Sequence, residues 1–192
     1  MTTFVLATHN PHKVEELRRI LGDRLGPHEL VGYDGPEPVE DGETFEANAL
    51  IKARAAAAVT GLPSIADDSG IVVDALGGDP GVRSARYAGT NDDGDNFRLL
   101  LENLRDATDR RAEFVCAAAL VDGGFEHTER GVWPGSVLTA PAGRGGFGYD
   151  PVFLPDGGTR SAAELTADEK NAVSHRARAF ARLVEVLRRR YG

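Results

Sequence analysis

The run Phe4-Val5-Leu6-Ala7 is followed closely by Asn10-Pro11, and then by Val14, Leu17, Ile20 and Leu21 at helical spacing. Four apolar residues suit a short buried strand. Asn before Pro supplies a helix cap and a first helical residue that needs no backbone donor. A strand that turns directly into an amphipathic helix restricts the chain to folds that mix the two elements. The alternation recurs along the sequence. His28 to Tyr33 reads as a strand, Asp34 to Gly42 as a polar loop carrying Glu37, Glu40 and Asp41, and Thr44 to Val59 as an Ala-rich helix with acidic residues near its start. Ile65-Ala66 and Ile71-Val72-Val73 read as two strands, with Asp67-Asp68-Ser69-Gly70 as a junction of exposed carboxylates between them. Asn91 to Arg105 fits a helix, and Ala112 to Val121 with Phe125 to Trp133 fits a β-hairpin joined at Asp122-Gly123-Gly124. Thr166-Ala167-Asp168-Glu169 has the capping-box pattern. Ser174 is a candidate cap for a separate C-terminal helix whose buried stripe is Phe180, Leu183, Val184 and Leu187.

Length and charge narrow the function classes. With 192 residues the chain is expected to form one α/β domain over residues 1–192, with room for two lobes. A net charge of -8 argues against a general grip on DNA or RNA, which depends on neutralising many phosphates. A small polyphosphate is different, because local cations and a bound metal reverse the potential at a single site. The single Cys116 lies in the apolar run Phe114 to Val121 and is read as a core residue. No segment has the length and apolarity to span a bilayer, and the N-terminus lacks a signal-peptide pattern, so no membrane partner and a cytoplasmic location are expected.

Four segments carry residues suited to chemistry. Thr8, Asn10 and Lys13 place hydroxyl, amide and ammonium groups around a helix start, a composition that binds phosphate; ordinary helix capping with a surface lysine is the structural alternative. Asp67 and Asp68 are adjacent carboxylates whose repulsion a magnesium ion would relieve, one holding metal while the other orients or deprotonates water. A solvated turn is the alternative there. The Gly-rich stretch Gly143 to Pro151 presents Phe147 for stacking on a base and Asp150 for its polar edge, or else is a hairpin turn with a core aromatic. Lys170, Ser174, His175, Arg176 and Arg178 bring donors and cations near a helix start, or form a solvated basic face.

Taken in order, Thr8-His9-Asn10-Pro11-His12-Lys13, Ala66 to Gly70, Gly146-Phe147-Gly148-Tyr149-Asp150 and Ser174-His175-Arg176 resemble the inosine triphosphate pyrophosphatase family, the non-standard purine nucleotide pyrophosphatases. Thr44 to Ala49, Gly81 to Tyr87 and Ala163 to Thr166 extend the resemblance from the first strand to the last helix. It implies a mixed α/β fold with a curved central sheet, flanking helices and two lobes around a nucleotide cleft, in a homodimer. It also implies magnesium-dependent hydrolysis of ITP, dITP and XTP to the monophosphate and pyrophosphate, cleansing the nucleotide pool. By residue, Thr8, His9, Asn10, Pro11, His12 and Lys13 would hold the polyphosphate and Asp68 would be the general base. Glu40 with Asp68 would serve magnesium, Asp41 being the alternative acid in that loop. Ser69, Phe147, Gly148, Tyr149, Asp150, Lys170, His175 and Arg176 would contact the nucleotide. Two other readings stay open on the residues alone: a magnesium-dependent phosphatase with Asp67 or Asp68 as nucleophile, releasing orthophosphate, and a nucleotide-binding module without turnover.

Overall fold

The computed structural model describes residues 1–192. Its central sheet has six strands in the order β2-β1-β3-β4-β5-β6: β1 (Thr3–Leu6), β2 (Glu29–Gly32), β3 (Ser64–Val73), β4 (Arg111–Asp122), β5 (Phe125–Val137) and β6 (Phe153–Pro155). β1 runs parallel to both β2 and β3, with Val5 opposite Val31 and Ser64, whereas β6 lies antiparallel to β5. The sheet is therefore mixed. Five helices accompany it: α1 (Pro11–Leu21), α2 (Phe45–Thr60), α3 (Asp93–Asn103), α4 (Ala167–Val173) and α5 (His175–Tyr191).

The chain divides into two compact units. The first holds Met1–Asp68, Cys116–Gly131 and His175–Gly192; the second holds Ser69–Val115 and Val132–Ser174. The core of the first unit packs Phe4 and Leu6 of β1 and Leu17 and Leu21 of α1 with Leu120 of β4 and Phe180 and Leu183 of α5. The second unit has its own core, in which Phe114 and Phe153 approach to 4.4 Å between ring centroids and Trp133 lies 5.4 Å from Phe153. Burial of this apolar surface is what sets the elements in place.

The expected strand-turn-helix opening is present, as are the helix from Phe45 and the hairpin through Gly123-Gly124. Thr166 forms the expected capping box, its side chain accepting from the Glu169 N–H while the Glu169 carboxylate accepts from the Thr166 N–H. Ser174 is extended and separates α4 from α5. One expectation is corrected. Ser64–Val73 is a single continuous strand, so Asp67 and Asp68 lie inside β3 and are buried, at 1% and 9% exposure. A pair of carboxylates lies within a strand here because cations meet both, Lys13 and Arg176 at Asp67 and Lys52 at Asp68, with the Asn48 amide added at Asp68.

Candidate functional site

In the first unit, the turn after β1 is organised by Asn10. Its side-chain oxygen accepts from the backbone N–H groups of His12 at 3.0 Å and Lys13 at 3.3 Å, while Pro11 opens α1. The Asn10 N–H donates to Thr8 Oγ1 at 3.2 Å. His9 faces Glu37 of the acidic loop, Nδ1 to Oε1 at 2.9 Å. Thr8, His9 and Pro11 border a surface depression of about 650 Å³, with Tyr33 and Arg18 among its other walls. The turn therefore lies open at the surface, with the first N–H groups of α1 taken up by the Asn10 cap.

Lys13 reaches from the first turn of α1 to Asp67, Nζ to Oδ2 at 3.2 Å. Arg176, at the start of α5, meets the same oxygen through Nε at 3.2 Å and Glu16 through Nη1 at 2.7 Å. Burial would raise the Asp67 pKa, but Lys13, Arg176 and Lys52 outweigh it and hold the carboxyl well below the usual carboxylate range. The other oxygen, Oδ1, is buried with no hydrogen-bond partner. Cys116 sits 3.9 Å from Asp67 Oδ2, and burial, then the Asp67 charge, push its thiol pKa up. It is a core residue, as the apolar run suggests.

Successive side chains in a strand point to opposite faces, so Asp68 meets different partners. Asn48 of α2 donates to Asp68 Oδ2 at 3.2 Å, and the Lys52 ammonium lies 3.4 Å from Oδ1. The same ammonium is 2.8 Å from Glu40 Oε2. Glu40 is thus the acid of the loop whose carboxylate is brought beside Asp68 on a shared cation. Burial raises the Asp68 pKa, with Glu40 and Asp67 adding to it against the opposing pull of Lys52 and Lys13. Lys52 keeps a raised pKa despite its own burial, because Asp68, Asp67 and Glu40 surround it.

In the second unit, Gly146 and Gly148 adopt left-handed φ values of 70° and 63° on either side of Phe147. A Cβ on Gly146 would overlap the Asp150 carboxylate, so glycine is required by space as well as by backbone. Asp150 Oδ2 accepts from the Phe147 N–H at 3.0 Å and from Lys170 Nζ at 2.6 Å. Lys170 also stands 4.9 Å from the centroid of the half-buried Phe147 ring. Asp93, in the first turn of α3, accepts from the Gly148 N–H at 2.7 Å. The Tyr149 ring turns into the core and its hydroxyl donates to the Ser84 carbonyl at 2.8 Å, so of this residue the backbone is what faces the loop. Ser69, half-buried, begins the part of β3 in this unit.

The structure brings Thr8 to Lys13 together on one turn, Glu40 with Asp68 through Lys52, and Phe147, Asp150 and Lys170 into one cluster. His175 and Arg176 lie buried at the start of α5 in the first unit, where Gly131 allows β5 to approach: a Cβ there would overlap the His175 carbonyl. Sequence reasoning missed Lys52, Asn48, Glu16 and Asp93. For two of these a signal existed, since Asn48 and Lys52 are polar residues four apart on an otherwise Ala-rich helix and therefore share a face.

Buried carboxylates answered by lysines lie in the first unit and an aromatic Gly-rich loop in the second, and the chain belongs to the Ham1 family, whose model matches residues 4–186. It is 57% identical to a dITP/XTP pyrophosphatase of Leifsonia xyli subsp. xyli, covering 98% of this chain and 96% of that protein. It is 52% identical to a dITP/XTP pyrophosphatase of Streptomyces coelicolor with both chains fully covered. Among solved structures it is similar to a HAM1 protein from Coxiella burnetii, with a TM-score of 0.90, 42% identity, and 98% of this chain and 100% of that one covered.

Proposed function

We propose that this protein hydrolyses dITP, XTP and ITP to the nucleoside monophosphate and pyrophosphate, thereby clearing non-standard purines from the nucleotide pool. Full-length similarity to relatives bearing that activity supports the reading. The observation that carries it in the structure is the convergence of Glu40 and Asp68 on Lys52.

Lys13 and Lys52 hold carboxylates here, and an arriving triphosphate offers both ammonium groups phosphate oxygens in exchange. The turn from Thr8 to Lys13 then cradles the polyphosphate. Asp68, whose pKa burial raises, accepts the proton of the attacking water. Water oxygen forms the new bond to phosphorus, the α–β anhydride bond breaks, and its electron pair leaves with the departing phosphate group. Phe147 stacks on the base, held by the Asp93 and Asp150 contacts to its loop. Donors at the purine edge would favour the 6-oxo group of hypoxanthine or xanthine over the 6-amino group of adenine; Arg176, expected there from the sequence, is instead buried against Asp67 and Glu16.

Magnesium, when bound, would be held by Glu40 and Asp68, two carboxylates that here share the Lys52 ammonium; hard cations take such ligands along with phosphate oxygens and waters. When bound, the ion would neutralise phosphate charge and polarise water. Residues 1–192 acting as one catalytic domain, a homodimeric assembly and a cytoplasmic location belong to the same proposal. No helix is long and apolar enough to cross a membrane.

The deciding experiment incubates the protein with ITP, XTP, GTP and ATP, with and without magnesium, and separates nucleotide, pyrophosphate and orthophosphate. Magnesium-dependent IMP and pyrophosphate from ITP, with ATP and GTP largely spared, is the expected result. Orthophosphate as first product would establish the phosphatase alternative instead.

A further inference from the structure

Asn48 is 3% exposed and lies on α2, one turn before Lys52. Its carboxamide makes two hydrogen bonds whose directions chemistry fixes. The Gly42 N–H can only donate, so it faces Oδ1, at 2.8 Å; the Asp68 carboxylate when ionised can only accept, so it faces Nδ2, at 3.2 Å. Gly42 closes the loop that carries Glu40 two residues earlier. A Cβ on Gly42 would stand 2.6 Å from Asn48 Oδ1, so the close approach that makes this bond depends on glycine. One amide therefore ties the end of the acidic loop to Asp68. It also makes the two Asp68 oxygens unequal, with Oδ2 held by Asn48 and Oδ1 turned toward Lys52.

We propose that Asn48 is a positioning residue for the hydrolysis, turning Asp68 so that Oδ1, on the side of Lys52 and Glu40, is the oxygen presented to water. The proposal rests on Asp68 being the base. Acting through Asp68, Asn48 affects the chemical step and leaves nucleotide binding nearly unchanged.

The test is a double-mutant cycle with Asn48→Ala, Asn48→Asp, Asp68→Asn and the Asn48→Ala/Asp68→Asn double variant. kcat and KM for ITP are measured with magnesium, ITP binding is measured by calorimetry with the metal chelated, and folding is checked by thermal melting. Asn48→Asp keeps an acceptor for the Gly42 N–H but has no donor for Asp68, so it separates positioning of the base from support of the loop. Expected are losses in kcat of roughly 10- to 100-fold for both Asn48 variants, ITP affinity within about threefold of the parent, and a double variant no slower than Asp68→Asn alone. Asn48→Asp within about twofold of the parent in kcat, a loss confined to KM, or a double variant slower than Asp68→Asn by the full Asn48→Ala factor would each overturn it. If Asn48→Ala does not fold, Asn48→Asp carries the decision by its kcat and its ITP affinity. Near-parental turnover by Asp68→Asn would instead remove the base assignment itself, so the two failures are distinct.

Discussion

Asp67 and Asp68 are chain neighbours that point to opposite faces of β3, and each meets its own cations. Asp67 lies against Lys13 and Arg176, which keep it ionised, while Asp68 is left with a raised pKa despite Lys52. In the proposed hydrolysis this difference would make Asp67 a fixed charge and Asp68 the proton acceptor. Asp68→Asn is therefore expected to lower kcat on ITP by roughly 10²- to 10⁴-fold with a smaller change in KM. Steady-state kinetics checks this, and turnover close to the parent's would exclude Asp68 as the base. Phe147, the proposed stacking residue, has a half-buried ring with Lys170 4.9 Å from its centroid. Truncation in Phe147→Ala is expected to weaken ITP binding by about 1–3 kcal/mol through lost stacking. Calorimetry reads this directly, and unchanged affinity would place the base elsewhere.

At the scale of elements, the short helix α4 shows how local devices place a buried cation. Ala167–Val173 has seven residues, too few to be stable as an isolated helix, and it carries Lys170 to Asp150. Its capping box is reinforced by Arg160, whose Nη2 lies 2.7 Å from Glu169 Oε1. That contact first, then the Thr166 N–H, hold the Glu169 pKa down to about 2 from an ordinary 4.5. A folded-state pKa below the unfolded one means a stabilising contribution that is complete above the unfolded value and fades as pH falls toward the folded value. Glu169→Gln should therefore lower the urea midpoint at neutral pH, and the gap should shrink between about pH 4.5 and pH 2. A gap that widens on acidification would contradict this account. The capping box was legible in the sequence because its partners are three residues apart, as was the Asn10-Pro11 start of α1. The burial of Asp67 and Asp68 was not. Asp-Asp-Ser-Gly has turn composition, and the residues that neutralise it come from α1, α2 and α5, far away in the chain. Glu16 is hidden for the same reason, since its partner Arg176 lies 160 positions on. The base loop was half legible: its glycines announce close packing, but nothing local indicates that the Tyr149 ring enters the core while Phe147 does not.

The whole molecule has two cores and a sheet whose strands supply both. β3 gives Ile65 to one and Ile71 and Val73 to the other; β4 gives Cys116, Ala118 and Leu120 to one and Ala112 and Phe114 to the other. Losing either core would release strands that carry side chains of its counterpart, so the two are expected to unfold in one cooperative transition. The single tryptophan makes this measurable. Trp133 is 4% exposed in the core of the second unit, and its fluorescence reports that core, while far-UV circular dichroism reports helices of both units. The two signals should give the same urea midpoint. Phe180 is fully buried in the first core, and Phe180→Ala should remove about 3–5 kcal/mol of stability through lost burial and the cavity left behind. Because the substitution lies in one unit and the fluorophore in the other, the decisive outcome is a shift of the Trp133 transition together with the dichroism. A dichroism change at lower urea with the Trp133 midpoint unmoved would mean that the cores fold independently, and that the shared strands do not couple them.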